Sequence, residues 1–385
     1  MIKQNISIQS KLPSTGTSIF AIMSKMAADY KAINLSQGFP DFNCSEQLIE
    51  LVHKFMKEGM NQYAPMPGLP SLRKTISEKI LTQYKAEYNF ETEITITAGA
   101  TQALYTAIST IIHSGDEVII IEPAYDSYVP AVIANGGVPI YSQLTAGEFN
   151  FDWSDIKKKI SRKTKAIIIN SPHNPTGSVL TENDIKMLEQ LIEGTNILII
   201  SDEVYEHITF DGMPHFSISS STELNKRSFV ISSFGKTFHT TGWKVGYCCA
   251  PEYLMNEFKK IHQFIVFAVN TPVQHAYSTF LLNENNYLSL NDFYQKKRDL
   301  FLHSISGSRF KAEPARGTYF QLLDYSQISD RNDMEFSEWL TKEIGVAVIP
   351  LQPFYSKNNS QKLIRVCFAK KDDVLIQAGI ILKSI

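Results

Sequence analysis

Residues Ile197-Leu198-Ile199-Ile200-Ser201-Asp202-Glu203-Val204-Tyr205 run an unbroken apolar stretch straight into a carboxylate and a phenol. A short continuous apolar run of this kind reads as a strand covered on both faces, the mark of a mainly parallel sheet. The same texture recurs at 94–98, 118–122, 166–170, 229–233 and 245–249, with a shorter run at 138–141. Helical patterns at 101–112, 125–134 and 182–193 lie between these runs and supply the cover. Thr181 followed by Asp184 is a helix-start signature, and residues 64–70 form a Pro- and Gly-rich break. Stretches 254–266 and 272–303 read as helical. Beyond about residue 308 the texture changes to strand-like pieces at 317–323 and 363–368 with helices at 334–343 and 371–382. The expected fold is therefore α/β, a mainly parallel sheet with helices on both faces plus a smaller α+β domain.

Composition narrows the class. The chain has 385 residues, of which 43% are hydrophobic and 20% charged, and this suits a globular protein with more than one domain. A formal net charge of -2 provides no long-range attraction for nucleic acid or anionic membranes, so neither is an expected partner. The four cysteines, Cys44, Cys248, Cys249 and Cys367, show no zinc-like spacing with histidine, and no metal is expected. Cys248 and Cys249 sit in an apolar run, where free cysteine behaves as a small buried hydrophobe. No apolar run is long enough to span a bilayer, and the segment between Lys3 and Lys11 lacks the apolar centre of a secretory signal. A cytoplasmic protein is expected.

The polar residues that follow the strands point to a site, because ligands of open α/β sheets bind at the carboxyl edge of the strands. Asp202, at the end of its run, requires a cationic partner or several donors; a salt bridge, a helix cap or a protonated heteroaromatic nitrogen all satisfy it. Tyr205 lies one short turn further on. Lys236, in Ser232-Ser233-Phe234-Gly235-Lys236-Thr237-Phe238, follows another strand. Gly99-Ala100-Thr101 reads as a tight turn opening a helix, either a plain turn capped by Thr101 or a backbone cradle for a phosphate. Ser233 and Lys244 lie close enough in sequence to serve the same anion. Asn174 is fixed in a turn by Pro172, Pro175 and Gly177, and His173 beside it carries no catalytic role. Tyr125 follows the second strand, where its ring either fills the core or stacks on a flat ligand. Arg365, among apolar neighbours in 363–368, seeks a carboxylate, whether internal or a substrate's.

Taken together, these segments are similar to those of the fold-type I, pyridoxal-phosphate-dependent class I/II aminotransferases. The resemblance runs through Ser36-Gln-Gly-Phe-Pro-Asp41, Gln62-Tyr-Ala-Pro65, Thr97 to Gln102, Asn170 to Gly177, Ser201 to Tyr205, Ser232 to Tyr247 and Arg365, in family order. The stretch Phe238 to Tyr247 most resembles the bacterial methionine aminotransferase and kynurenine–oxoglutarate aminotransferase branch. The resemblance implies that Lys236 joins pyridoxal 5'-phosphate covalently and that Asp202 pairs with its pyridinium nitrogen. Asn174 and Tyr205 bond the ring oxygen, Tyr125 stacks on the ring, and Ala100, Thr101, Ser233 and Lys244 hold the phosphate. Lys244 stands where many relatives carry Arg, which keeps the charge and loses the planar fork. Tyr63 is expected to reach the phosphate of a partner subunit, making the active sites a product of a homodimer. Gly38 and Arg365 face the substrate carboxylate.

The implied activity is transfer of an amino group from an L-amino acid to a 2-oxo acid by a ping-pong mechanism. Apolar residues near Ile19 and Phe20, with Phe39, Tyr63 and Phe264 to Phe267, favour a large hydrophobic or aromatic donor such as methionine, phenylalanine, tyrosine or kynurenine. A carbon–sulfur β-lyase on the same scaffold is the nearest rival, and a non-catalytic effector-binding module is a second. A nucleotide-binding dehydrogenase is disfavoured because no G-x-G-x-x-G follows the first strand. The expected division is an N-terminal segment at 1–44 joining the small domain, a large cofactor-binding domain at 45–275 and a small C-terminal domain at 276–385.

Overall fold

The computed structural model describes residues 8–358 and 361–385; Lys3 and the first residues of the 1–44 segment lie outside the described residues. Strand β1 (Ile33–Asn34) stands apart from the main sheet. That sheet is built from β2 (Ile94–Thr97), β3 (Glu117–Glu122), β4 (Val138–Gln143), β5 (Thr164–Asn170), β6 (Leu198–Asp202), β7 (Ser228–Ser233) and β8 (Gly246–Cys249), in the order β2-β8-β7-β6-β5-β3-β4. The pairs β3–β4, β3–β5, β5–β6 and β6–β7 are parallel. Strand β8 runs against both of its neighbours, β2 and β7. An apolar run carries no mark of its direction, so the reversal of β8 is a finding of the fold.

The continuous apolar strands are covered on both faces, as their texture predicts. Val118 and Ile120 enter one core with Ala166, Ile168, Phe229 and Ile231, while Ile119 and Ile121 enter the opposite one with Ile167, Ile169 and Val230. The helices that bear on the site are α1 (Ile19–Asp29), α2 (Glu46–Lys57), α3 (Pro70–Tyr84), α4 (Ala100–Ile111), α5 (Tyr128–Ala134), α6 (Trp153–Lys159) and α7 (Glu182–Ile192). Helix α7 opens with the capping box that Thr181 and Asp184 predict. The helix expected from 125 begins at Tyr128 instead, because the turn after β3 runs on through Ser127. The stretch 272–303 is broken into helices at Thr271–Phe280, Asn285–Leu288 and Leu290–Ser304. Gly68, in the Pro-rich break, has φ +99°, and a Cβ there would come within 2.2 Å of the Ile96 side chain. Only glycine lets this turn close on β2.

Four more strands lie outside the main sheet, β9 (Phe320–Asp324), β10 (Val346–Ala347), β11 (Ile349–Pro350) and β12 (Leu363–Cys367). Strands β11, β12 and β9 form an antiparallel sheet in that order, and β10 pairs in parallel with β1 through Ile33 and Val346. The N-terminal segment is thus stitched to the C-terminal part of the chain. The tail helix is Asp372–Lys383. Behind the main sheet, α3 delivers Lys79 to Glu206, both buried, at 2.8 Å. The Tyr84, Ser232 and Tyr247 hydroxyls also donate to the Glu206 carboxylate. Burial pushes Glu206 up, but Lys79, His207 and these donors outweigh it and hold the carboxyl well below its usual range. No described helix is long and apolar enough to cross a membrane.

Candidate active site

The carboxyl edge of the main sheet assembles the site. Strand β5 ends at Asn170, β6 at Asp202 and β7 at Ser233, and the short helix Phe234–Thr237 then lifts Lys236 over the edge. Because β8 is reversed, its starting end lies at this same edge and brings Lys244 to it. From the other sheet, β12 carries Arg365, and the loop after β1 carries Gly38. A cavity of about 350 Å³ opens between them. Gly38, Ala100, Thr101, Tyr125, Asn174, Asp202, Tyr205, Lys236 and Arg365 all line it. Ser233, Lys244 and Tyr63 do not.

Lys236 Nζ donates to the Gly38 carbonyl at 3.0 Å and to the Tyr319 hydroxyl at 2.9 Å, and Tyr319 in turn donates to the Gly38 carbonyl at 2.6 Å. Burial pushes the amine down to about 8, against the opposing influence of Cys367 and with the Arg365 and Lys244 cations adding to the fall. The amine is thus mostly protonated near neutral pH, but it is free far more often than an ordinary lysine and becomes predominantly so above about 8.

Asp202 is buried. Its Oδ2 accepts from the Tyr128 hydroxyl at 2.6 Å, and its Oδ1 accepts weakly from the Val204 N–H at 3.3 Å. Burial pushes the carboxyl up to about 6, although Tyr128, Val204 and Lys236 all pull it down. No salt bridge with Arg, Lys or His engages Asp202 among the described residues. A buried carboxylate held by hydrogen bonds alone retains an appetite for a cation.

Arg365 is 1% exposed. One terminal nitrogen donates to Asn174 Oδ1 at 2.6 Å and the other to the Ser36 carbonyl at 3.3 Å, while Nε–H has no partner among the described residues. The guanidinium stacks 3.8 Å from the Phe320 ring centroid, with Phe20 and Phe354 also beside it. Stacking fixes the plane of the fork and leaves spare donors. Burial pushes its pKa down to about 10, still far enough above neutrality to keep it charged. Asn174 is pinned in turn by its backbone N–H on Asn170 Oδ1 at 2.8 Å. His173 is buried in this turn against Thr176 at 2.8 Å, and burial pushes it down to about 3, which keeps the ring neutral.

Helix α4 begins after Gly99, whose φ is +78°, and no side chain among the described residues caps its first turn; Thr101 is not the cap. Its leading N–H groups and positive dipole end therefore remain free for an anion. A Cβ on Gly99 would come within 3.3 Å of Lys244 Nζ, and one on Gly246 within 3.0 Å of the Ala100 nitrogen. Two glycines thus keep the backbone of this cradle open while Lys244 hangs over it. Ser233 is the register partner of Gly246 on the adjacent strand β7. Tyr63 is 83% exposed and packs edge-on against Phe267 at 5.4 Å, away from the cavity of its own chain. Phe20 and Phe39 line the cavity as expected of the apolar wall. Ile19 is buried in a separate small core, while Phe264, Ile265 and Phe267 are exposed and Val266 packs on the main core, so none of them lines this cavity.

Three neighbours escaped the sequence reading. Tyr319 immediately precedes β9 and Phe320 opens it; their aromatic side chains read as core packing, and nothing local shows where a hydroxyl or ring face is aimed. Tyr128 lies three residues after Tyr125 at a helix start, a spacing that places both on one side of the turn and offered the only signal.

Known proteins match this arrangement along nearly its whole length. The family model described as aminotransferase class I and II matches residues 30–380. The chain is 46% identical over 372 residues to the methionine aminotransferase of Escherichia coli (strain K12), covering 96% of each chain. It is 34% identical over 404 residues to a kynurenine–oxoglutarate transaminase of Dictyostelium discoideum, covering 94% of this chain and 93% of that one. The crystal structure of Escherichia coli YbdL, for which a methionine aminotransferase function is identified, superposes with a TM-score of 0.97 at 46% identity, over 99% of this chain and 100% of that chain.

Proposed function

This chain belongs to the class I and II aminotransferase family and is a pyridoxal-phosphate-dependent transaminase of fold type I, acting on amino and oxo acids; from that premise we propose that it moves the amino group of a large hydrophobic or aromatic L-amino acid, such as methionine, phenylalanine, tyrosine or kynurenine, to a 2-oxo acid by a ping-pong mechanism. The observation that carries the reading is that Lys236 and Asp202 border one cavity between an uncapped helix end and a stacked arginine.

The residues fit the cofactor. The open N-terminus of α4, kept clear by Gly99 and Gly246 and topped by Lys244, suits a phosphate. Ala100, Thr101, Ser233 and Lys244 are the proposed holders of that group, although Ser233 and Lys244 stand outside the cavity proper. Asp202, buried and without a salt-bridge partner among the described residues, suits a pyridinium nitrogen, and Asn174 and Tyr205 suit the ring oxygen. The Tyr125 ring, also on the cavity wall, suits the face of the ring. When bound, the cofactor supplies an electron sink for the pair left by the Cα–H bond.

The chain's own residues do the rest. Lys236 would hold the cofactor, and its free Nζ would accept and return the proton at the substrate Cα; burial raises the share of neutral amine available for this. Gly38 and Tyr319 mark the direction from which that amine works, since they hold it at 3.0 and 2.9 Å. Arg365 grips the substrate α-carboxylate and so aims the Cα–H bond. Asp202 stabilises positive charge on the ring nitrogen.

Support for a hydrophobic donor comes from the walls. Phe20, Ala21, Phe39, Leu104 and Phe320 line the cavity beside Arg365. Among its described lining residues the only lysine or arginine groups are Lys236 and Arg365, both already engaged, so a side-chain carboxylate would meet no spare cation. The names of the Escherichia coli and Dictyostelium relatives point the same way. We further propose a homodimer in which the exposed patch of Tyr63, Phe264 and Phe267 is covered by a second copy and Tyr63 reaches the partner's phosphate. The division at 1–44, 45–275 and 276–385 and a cytoplasmic setting belong to the same proposal.

A screen of amino donors against 2-oxoglutarate and other oxo acids tests this reading. Methionine or aromatic donors should lead, and Lys236→Ala should abolish turnover. Exclusive use of aspartate or alanine, or transamination retained without Lys236, would overturn it. Pyruvate and ammonia released from cystathionine without any oxo acid would favour the β-lyase instead.

A further inference from the structure

Tyr128 has no part in the roles assigned above, yet its hydroxyl makes the tighter of the two side-chain-directed contacts to Asp202, at 2.6 Å against 3.3 Å for the Val204 N–H. We propose that Tyr128 is a positioning residue for Asp202, donating a hydrogen bond that keeps the carboxylate ionised and fixes its rotation toward the ring nitrogen of the bound cofactor. The inference rests on the reading that Asp202 pairs with that nitrogen.

Both residues are 3% exposed, so water does not compete for the bond. A phenol donating to a carboxylate at this distance is a charge-assisted hydrogen bond, stronger than a neutral one. Tyr128 engages Oδ2 and Val204 engages Oδ1, and the two contacts from different segments stop the carboxylate from turning. The Tyr128 ring is held as well. It packs in the core that α4 shares with the sheet, through Ala103, Leu104 and Ala107, and it stands edge-on to Tyr125 at 5.7 Å. The turn after β3 and the first residue of α5 therefore carry both the ring proposed to lie on the cofactor face and the hydroxyl that sets the carboxylate.

The charged and titratable groups facing Asp202 are few. Lys236 favours the ionised form, Glu203 opposes it, and Tyr125 and Tyr205 add their phenols nearby. Glu203 is itself tied to Ser201, His215 and the Ile218 N–H. Burial dominates and pushes Asp202 up to about 6, and Tyr128 is the foremost influence bringing it down. The Tyr128 phenol is held well above its usual value by burial and by Asp202, so it remains a protonated donor wherever the enzyme works. Without it, Asp202 would be protonated over more of the neutral range and unable to stabilise a ring cation.

The test is the affinity of the purified apoenzyme for pyridoxal phosphate, titrated from about pH 5 to about pH 9. It is compared for the unsubstituted enzyme, Tyr128→Phe, Asp202→Asn and the pair together. Phe keeps the ring packing, and circular dichroism and apoenzyme melting check that the fold is intact. The low-pH fall in affinity should move up by about one pH unit in Tyr128→Phe, a loss of about tenfold at a fixed pH below the midpoint. In the Asp202→Asn background the same change should have little further effect, because the two residues act through one bond. If Asp202→Asn weakens binding and flattens its pH dependence while Tyr128→Phe matches the unsubstituted enzyme, the inference falls and the role of Asp202 stands. Additive losses in the double variant also overturn it. If Asp202→Asn itself changes neither affinity nor pH dependence, the pairing with the ring nitrogen falls, and the inference with it.

Discussion

Removing the Arg365 fork should cost the enzyme its hold on both substrates without loosening the cofactor. The guanidinium is 1% exposed, stacked 3.8 Å from the Phe320 centroid, and braced by Asn174 at 2.6 Å and Ser36 at 3.3 Å. Those braces occupy part of its five donors, and the remainder can address a carboxylate. Two charge-assisted hydrogen bonds in such a dry setting contribute about 1.5–3 kcal/mol each, or roughly 3–6 kcal/mol together. At about 1.4 kcal/mol per tenfold, Arg365→Ala should lower kcat/KM by roughly 10²- to 10⁴-fold. Arg365→Lys keeps the charge but loses the plane and one of the two bonds, and should fall about half as far on a logarithmic scale. Initial rates measured while both the amino donor and the oxo acid are varied will report the two half-reactions separately. Both should suffer alike, since each substrate presents the same carboxylate. An amine that lacks the α-carboxylate should be a poor substrate for the unsubstituted enzyme and scarcely worse for the variant. The reasoning fails if the variant weakens only cofactor affinity, or if the carboxylate-free amine loses as much rate as the amino acid.

Two further predictions follow from groups held away from their ordinary ionisation. Burial lowers Lys236 to about 8, so the amine is free above that pH and protonated below it. The rate at which apoenzyme takes up the cofactor should therefore climb as pH rises through about 8 and then level off, as followed by stopped-flow absorbance; a flat profile across that range would contradict it. Lys79→Met leaves Glu206 buried without its ammonium partner and should destabilise the fold by about 3–5 kcal/mol near neutral pH, measured by urea unfolding. With the depressed Glu206 carboxyl, the pair's contribution is fully present above the ordinary glutamate value of 4.5 and is lost as pH falls below it. In the variant, burial acts on Glu206 with less opposition and raises it, so the stability gap should narrow on acidification. An equal gap at neutral and at acid pH would argue against an ionised Glu206.

Much of the site was legible because strand ends announce themselves. An apolar run that stops at Asp202, Asn170 or Ser233 says locally that a polar group stands at a sheet edge, and the parallel texture says that those edges coincide. Gly99 before α4 carried the same kind of local signal, although it could not show that the helix would be left uncapped. Residues whose function depends on aim were not legible. The sequence shows Tyr128, Tyr319 and Phe320 as bulky apolar groups, and their hydroxyls and ring faces acquire meaning only against Asp202, Lys236 and Arg365. The apolar wall was half legible for the same reason. Phe20 and Phe39 point into the cavity, while Phe264 and Phe267 face away from it.

From its residues alone the chain determined an α/β sheet with both faces covered, a tight glycine turn opening a helix and a row of polar groups at the strand ends. Each of these depends on patterns a few residues long. The tertiary structure decided the order of the strands, the reversal of β8 that brings Lys244 to the working edge, and the meeting of Lys236 with Gly38 and Tyr319. Those outcomes are distances between groups far apart in the chain, and they are set by how whole strands and helices pack, which no local pattern encodes.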